Sequence, residues 1–177
     1  MKDNKKKFVI EVRDAILPDD ADDIRQLWID YLTWANNTMH MHYGVHPNNP
    51  TEQVEQDVKM IEKFLPPNGR IILAFTDNIA CGTGCLKGIN EEIGELKRMY
   101  VNPSFRKIGA GRAILQSLIN AAKETGYKKV RLDSSKFMED AHSLYRSIGF
   151  KDIPVYPEVE LPEEFRQYLV FMELDLL

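Results

Sequence analysis

The amino-acid sequence predicts an α/β protein with a mixed, mostly antiparallel central sheet flanked by helices. Short stretches of β-forming residues alternate with segments whose apolar residues recur at the spacing of a helix that buries one face. Both a tight hairpin turn and longer crossover connections join these segments, and a sheet with both kinds of connection contains antiparallel and parallel strands. The 177 residues suffice for one domain with a sizeable core.

The first third of the chain predicts one strand and two helices. A strand over residues 8–16 leads to Pro18-Asp19-Asp20, which starts a helix with acidic residues in its first turn. Residues 36–50 are rich in asparagine, glycine and proline, so we expect an irregular loop there. Asn49-Pro50 then caps a second helix, whose apolar positions continue to Leu65.

The rest of the chain predicts further strands and two more helices. Asp77-Asn78 is expected to form the turn of a hairpin, and Gly126 and Gly149 are expected to cap the two helices. The predicted strands cover residues 70–76, 79–87, 93–101, 129–133 and 168–174, with a short strand from Phe150, and the helices cover 109–125 and 139–148. No linker, internal repeat or low-complexity segment interrupts this order, so we expect a single domain over residues 1–177.

Charge and hydropathy argue against two classes of partner. The net charge of −4 disfavours nucleic acid, and no apolar run is long enough to span a bilayer. The basic residues 1–7 are interpreted as a flexible solvated tail. The apolar run that follows them is interrupted by Glu11 and Arg13, so the segment does not form a signal peptide.

The cysteine and histidine positions argue against disulfide and metal chemistry. Cys81 and Cys85 lie on one predicted strand, where four residues span about 13 Å, too far for a disulfide. We therefore expect buried free thiols in a reducing compartment, and a cytoplasmic location. His40, His42 and His46 lack the spacing of a familiar zinc motif, so we favour a loop beside a substrate pocket over a metal site.

The segment Arg106-Lys107-Ile108-Gly109-Ala110-Gly111 follows a predicted strand and opens a predicted helix. Glycine lets the backbone approach a ligand closely, and the first turn of a helix has unpaired N–H groups that stabilise an anion. The spacing matches neither the dinucleotide fingerprint nor the P-loop. On its own it leaves two interpretations open, a phosphate site and an ordinary loop between strand and helix.

A second motif, Ala141-His142-Ser143-Leu144-Tyr145-Arg146-Ser147-Ile148-Gly149-Phe150, lies on the next predicted helix. Together and in this order, the two motifs resemble the GCN5-related N-acetyltransferase family, most strongly over residues 93–150. The resemblance implies the acyl-CoA N-acyltransferase fold of that family and acetyl-CoA as cosubstrate. One position departs from the pattern, because Met138 stands where many members carry an asparagine that contacts the cofactor.

The resemblance also implies which residues hold acetyl-CoA. Arg106, Lys107, Ile108, Gly109, Ala110 and Gly111 would bind its pyrophosphate through backbone N–H groups. Met99, Tyr100 and Val101 would line the pantetheine arm and the acetyl group. One N–H of that strand segment would polarise the thioester carbonyl as an oxyanion donor.

The same resemblance suggests a base and an acid. An amine with a pKa near 10 is mostly protonated at neutral pH, so a proton must leave before the amine attacks. Glu95 occupies the position of the base in the histone-type members, with an ordered water chain as the alternative. Tyr145 is expected to protonate the leaving thiolate, with a plain core tyrosine as the alternative. Both roles imply direct attack in a ternary complex, without an acyl-enzyme.

The acceptor is the least defined part of the prediction. In the family it is recognised by the first two helices and the C-terminal segment, which here carry aromatic and acidic residues suited to a cationic amine or an amino acid: Trp28, Tyr31, Trp34, Tyr43, Tyr156, Glu158, Glu160, Glu163 and Glu164. We expect a small-molecule primary amine. The alternatives are a protein or peptide amine, and a sensor that binds acyl-CoA without turnover. A homodimer is expected on the resemblance alone.

Overall fold

A seven-stranded sheet runs through the computed structural model, which describes residues 9–176. Its strands are β1 (Ile10–Asp14), β2 (Arg70–Thr76), β3 (Ile79–Gly88), β4 (Ile93–Val101), β5 (Lys129–Ser135), β6 (Lys151–Ile153) and β7 (Leu169–Asp175). The helices are α1 (Ala21–Tyr43), α2 (Pro50–Lys59), α3 (Ala110–Thr125), α4 (Glu139–Ile148) and α5 (Glu163–Arg166), with 3₁₀ turns at Ile61–Phe64 and Pro103–Phe105.

The strands follow the order β1-β2-β3-β4-β5-β7-β6, and β4 with β5 is the parallel pair. The other neighbouring pairs are antiparallel. A parallel pair needs a crossover connection, which α3 supplies between β4 and β5. The predicted mixed, mostly antiparallel α/β sheet is therefore confirmed.

The two central strands, β4 and β5, are paired over only a short length. Their register pairs Ile93 with Lys129 and ends where Glu95 meets Arg131. Both strands continue past this point, so the sheet opens between them. An opened sheet leaves backbone groups of β4 free to pair with something other than β5.

Helices cover both faces of the sheet, and each face has its own apolar core. On one face, α3 packs Ile114, Leu115 and Leu118 against the sheet in a cluster that includes Leu96 and Leu132. On the other face, α1 and α2 supply a second cluster that contains Ile24, Leu27, Trp28, Val54, Phe64, Leu73, Cys85 and Tyr100. β4 contributes to both clusters, so apolar residues pack against both of its faces.

The expected irregular loop at residues 36–50 is wrong over its first half. α1 continues to Tyr43 and ends at Gly44, which has a φ of +70°. The buried Asn36 donates from Nδ2 to the carbonyl oxygen of Asn48 at 2.6 Å and to its Oδ1 at 2.9 Å. Asn36 therefore joins the helix to the segment that follows it, and it does not mark a chain break.

Other elements follow the prediction closely. Asp77 and Asn78 both have positive φ and form the predicted hairpin turn. The second helix ends earlier than expected, at Lys59, and a 3₁₀ turn continues to Phe64. The predicted tail at residues 1–7 and the start of the first strand at Phe8 lie outside the described residues.

Two further observations concern the cysteines and the helices. Cys81 and Cys85 are free, and their expected burial is confirmed. Among residues 9–176, none of the helices combines the length and the apolar character needed to cross a bilayer.

Candidate active site

A β-bulge in β4 places two adjacent charged side chains in the same cavity. Cys85 pairs with Lys97 and regular pairing resumes only at Tyr100, so two residues of β4 stand opposite one residue of β3. Arg98, at the bulge, has a φ of +55°. Neighbouring residues of a regular strand point to opposite faces, but Lys97 and Arg98 line one cavity here because the bulge interrupts the alternation.

The segment from Arg106 to Gly111 follows β4 and includes the first two residues of α3, so it opens the helix as predicted. Gly109 has a φ of +99° and is the N-cap of α3, without a side chain that caps the helix. The N–H groups of the first helical turn therefore have no intrahelical partner. Free N–H groups at the positive end of a helix dipole stabilise an anion that lies against them.

A cavity of about 680 Å³, here called the loop cavity, adjoins this segment. It lies between the end of β4, the glycine segment and the first turns of α4. All the residues predicted to bind the cofactor line it except Ile108, which packs against the core beside α3. The structure thus brings the strand residues Met99–Val101 and the glycine segment together around one space.

Arg106 is held at the wall of the loop cavity by two contacts. Its guanidinium carbon lies 4.9 Å from the centroid of the Trp34 ring, and its Nε donates to the Val101 carbonyl at 3.0 Å. The first contact is a cation–π interaction. Together these contacts fix a positive charge beside the helix terminus, where it adds to the attraction for an anion.

A second cavity of about 440 Å³, here called the bulge cavity, lies between α1, the bulge of β4, β5 and residues 160–162. Met99, Met138 and Tyr145 line both cavities. The two cavities therefore adjoin one another at these three side chains. A ligand in each cavity would meet the other ligand there.

Tyr145 stands at this junction and also belongs to the apolar core cluster that α3 covers. The side chain is 5% exposed, and its ring centroid lies 5.7 Å from that of Phe150. Burial raises the pKa of Tyr145, and the nearby Tyr31 and Asp133 raise it further. The hydroxyl therefore stays protonated at neutral pH and is able to donate a proton.

Glu95 lies in a different environment, behind the cavity wall. Its carboxylate is 0% exposed and lines neither cavity. Oε1 accepts a hydrogen bond from the Tyr156 hydroxyl at 2.8 Å, and Oε2 lies 3.1 Å from the Nζ atom of Lys87. Lys97, which does line the bulge cavity, is 3.6 Å from Oε1 and stands between Glu95 and that cavity.

The bulge cavity also holds charged side chains that the sequence analysis did not single out. They come from α2, the following 3₁₀ turn, β4 and β5: Asp57, Lys63, Lys97, Arg98 and Asp133. Because these elements are distant in sequence, no local motif joins the residues. Of the expected acceptor residues, Tyr31 and Glu160 line the bulge cavity and Trp34 lines the loop cavity.

Met138, the residue that departs from the family pattern, contacts a serine and histidine pair. The Ser134 hydroxyl lies 3.4 Å from the Met138 sulfur and 3.0 Å from Nε2 of His142. Burial lowers the pKa of His142, so its ring is neutral at pH 7. The thioether thus packs at the cavity junction without the amide donor of an asparagine.

The other three histidines make ring contacts. The His40 and His46 rings stack with centroids 4.3 Å apart, and the His42 ring is parallel to that of Phe137 at 5.8 Å. Within residues 9–176, no group of three or more histidine, cysteine or acidic side chains is arranged to hold a metal ion.

Comparison with known proteins gives consistent matches. The model of the acetyltransferase (GNAT) family matches residues 22–150, which is more than half of the chain. An uncharacterized N-acetyltransferase of Schizosaccharomyces pombe is 27% identical over 172 residues, covering 94% of this chain and 95% of that protein.

Solved structures show the same fold. A GNAT-family acetyltransferase from Staphylococcus aureus superimposes with a TM-score of 0.72 at 18% identity, over 96% of this chain and 100% of that one. The Salmonella typhimurium protein yncA, solved with its cofactor acetyl-CoA, gives a TM-score of 0.65 at 16% identity over 94% of each chain. At these identities the likeness concerns the fold alone.

Proposed function

Because this chain belongs to the acetyltransferase (GNAT) family, we propose that it transfers the acetyl group of acetyl-CoA to a primary amine of a small molecule. The observation that carries this proposal is the pair of adjoining cavities, which share Met99, Met138 and Tyr145. The loop cavity would take the cofactor and the bulge cavity the acceptor. The two would meet where the acetyl group is transferred.

The loop cavity suits the charge and shape of coenzyme A. The pyrophosphate would lie against the N–H groups at the start of α3 and near Arg106, because both attract an anion. The pantetheine arm would pair with the backbone of β4 where that strand diverges from β5. The thioester would then reach the bulge, where an N–H of residues 99–101 would polarise its carbonyl.

The proposed reaction is direct attack of the amine on the thioester carbon. A carbon–nitrogen bond forms, the carbon–sulfur bond breaks, and the thiolate leaves with a proton from the Tyr145 hydroxyl. Glu95 is proposed to accept the proton of the amine. Its carboxylate lies behind Lys97, so cavity water would have to carry the proton to it.

Both cysteines are poorly suited to form an acyl-enzyme. Burial raises the pKa of the Cys81 and Cys85 thiols, which disfavours the nucleophilic thiolate. Neither residue lines either cavity. This supports the ternary mechanism, and two free buried thiols also suit the proposed cytoplasmic location.

The test is release of coenzyme A thiol from acetyl-CoA in the presence of a panel of amines, amino acids and peptides. We expect release with small amines and little with peptides, because the bulge cavity of about 440 Å³ is bordered by α1, α2 and residues 160–162 and is small for a polypeptide. Release that occurs only with peptides would favour the protein or peptide acetyltransferase. Cofactor binding by calorimetry without release from any acceptor would favour the sensor.

A further inference from the structure

The wall of the bulge cavity carries a series of charges of alternating sign. Nε of Arg98 donates to Oδ2 of Asp57 at 3.2 Å, and Nζ of Lys63 donates to Oδ1 of the same carboxylate at 3.0 Å. Further along the wall, Nζ of Lys97 lies 3.7 Å from Oε2 of Glu160 and 2.9 Å from Oδ1 of Asp133. All six side chains line the cavity.

Glu160 and Lys97 remain ionised at neutral pH although both lie in the wall of the cavity. Burial favours the neutral acid of Glu160, but the ammonium groups of Lys97, Lys87 and Lys63 hold its pKa at about 2. Burial also disfavours the charged form of Lys97, but Asp133 and Glu95 outweigh it and raise the pKa of that lysine. Glu160 and Lys97 therefore keep opposite charges at neutral pH.

The two ends of the series carry opposite excess charge. At one end, two cations, Arg98 and Lys63, share the single carboxylate of Asp57. At the other end, Lys97 and Lys87 face the three carboxylates of Glu95, Asp133 and Glu160. The Arg98 end thus carries an excess of positive charge, and the Asp133 end carries an excess of negative charge.

The negative end lies beside the reaction centre. Asp133 is close enough to Tyr145 to affect its ionisation, and Tyr145 lines both cavities. The Tyr31 hydroxyl lies within electrostatic range of both ends, since Arg98, Asp133 and Lys97 all act on it. Tyr31 also lines the bulge cavity.

Resting on the proposed function, we propose that the acceptor is a zwitterion, a small amino acid whose ammonium group binds at Asp133 and whose carboxylate binds at Arg98. This orientation places the amine beside Tyr145, where the thioester is expected. Asp57 already accepts from Nε and Nη2 of Arg98, so the acceptor carboxylate would bind at Nη1, and the acidic end suits an ammonium group. The remaining wall is largely apolar and includes Leu32, Met39, Met60, Met99 and Leu161, so an apolar side chain fits the space between.

The substrate test compares each amino acid with its decarboxylated amine. The pairs are leucine with 3-methylbutylamine, methionine with 3-(methylthio)propylamine, and phenylalanine with 2-phenylethylamine. We expect kcat/KM for at least one amino acid to exceed that of its amine by about tenfold or more. The amine has no carboxylate, so no anion would bind at Arg98. Equal or faster acetylation of the amines would overturn the zwitterion while leaving the proposed function standing. No thiol release from any acceptor would overturn both.

A matched pair of variants tests the Arg98 end. Arg98 and Arg146 both donate to an aspartate, but Arg146 and Asp152 are exposed and line neither cavity. We expect Arg98→Gln to lower the ratio of amino-acid to amine kcat/KM by about tenfold, and Arg146→Gln to leave the ratio unchanged. An unchanged ratio in a folded Arg98→Gln protein would exclude carboxylate binding at this end.

A second pair of variants tests the same end of the series if Arg98→Gln does not fold. Lys63→Met leaves Asp57 paired with Arg98, so it does not create an unpaired buried charge. Its control is Lys128→Met, which removes an exposed ion pair with Glu92. We expect the ratio to fall severalfold in Lys63→Met and to stay constant in Lys128→Met. A constant ratio in both would count against the cationic end.

Discussion

The hydroxyl of Tyr156 donates a hydrogen bond to Oε1 of Glu95 at 2.8 Å, which ties the C-terminal part of the chain to the central strand β4. Nζ of Lys87 approaches the other carboxylate oxygen to 3.1 Å. Glu95 therefore has a hydrogen bond at one carboxylate oxygen and an ion-pair contact at the other, and it is fully buried. A base in this position must exchange protons with the acceptor indirectly, and this arrangement leads to the first prediction.

Glu95→Gln should lower kcat/KM about 10²-fold at pH 7 and much less at high pH. The amide keeps the shape of the side chain but cannot accept a proton, whereas at high pH more of the amine is already neutral. The measurement is the pH–rate profile with one acceptor. Glu173→Gln is the control, because Glu173 is also paired with two cations, Lys129 and Arg131, but lines neither cavity. The same pH–rate profile in wild type and Glu95→Gln would remove Glu95 from the proton transfer.

Tyr145→Phe should lower kcat about tenfold with little change in the KM for acetyl-CoA. The loss is modest because a thiolate is a good leaving group even without a proton donor. Tyr127→Phe is the control, since the buried Tyr127 hydroxyl donates to the Asn68 carbonyl at 2.8 Å and lines neither cavity. That variant should lose about 1 kcal/mol of stability and keep its turnover. Full turnover in Tyr145→Phe would exclude Tyr145 as the proton donor and leave it only a role in packing.

Gly109→Ala should weaken coenzyme A binding more than Gly126→Ala does. Both glycines have positive φ, +99° and +94°, and an added Cβ meets only open space or one side-chain atom at 3.8 Å. Backbone strain should therefore cost each variant a similar amount, about 1 kcal/mol. Only Gly109 begins the helix that faces the loop cavity. Calorimetric titration with coenzyme A makes the comparison, and equal affinities in the two variants would contradict a phosphate site at α3.

Local patterns in the sequence were sufficient to predict most elements and the glycine segment. The turn at Asp77-Asn78 and the glycine caps of α3 and α4 depend on residues close together in the chain, so their signals are local. The irregular loop was wrong because Asn36 is satisfied by Asn48, twelve residues away. A contact between residues twelve positions apart produces no local pattern from which it could be predicted.

The bulge cavity was the least predictable part of the site. Arg98 and Lys97 share a cavity only because of the bulge, and alternation along a regular strand predicts the opposite. Asp57 and Asp133 reach the same space from α2 and β5, which only the folded chain brings together. The resemblance to a family could indicate the cofactor loop, but it gave no information on these charges.

The last prediction concerns stability and an ion pair far from both cavities. Arg13 donates to both carboxylate oxygens of Asp20, at 2.6 and 2.9 Å, and the backbone N–H of Ile16 donates to Oδ2 at 2.6 Å. The Arg13 hydrogen bond lowers the pKa of Asp20 more than burial raises it. A carboxyl group whose pKa is lower in the folded chain than in the unfolded chain stabilises the fold only while it is ionised.

Asp20→Asn should therefore reduce the free energy of unfolding by about 2 kcal/mol at pH 7, because the amide cannot form the charge-assisted pair with Arg13. Above about pH 5 this difference should be constant, since Asp20 is ionised in both folded and unfolded chains. As the pH falls through about 4 and below, the unfolded chain binds a proton first, so the wild-type advantage declines and then disappears once folded Asp20 is protonated too. Urea unfolding between pH 3 and 7 measures this, with Asp14→Asn as control because Asp14 is mostly exposed and lies 3.7 Å from Arg70. A difference that does not depend on pH would mean that the carboxylate contributes through packing and not through its charge.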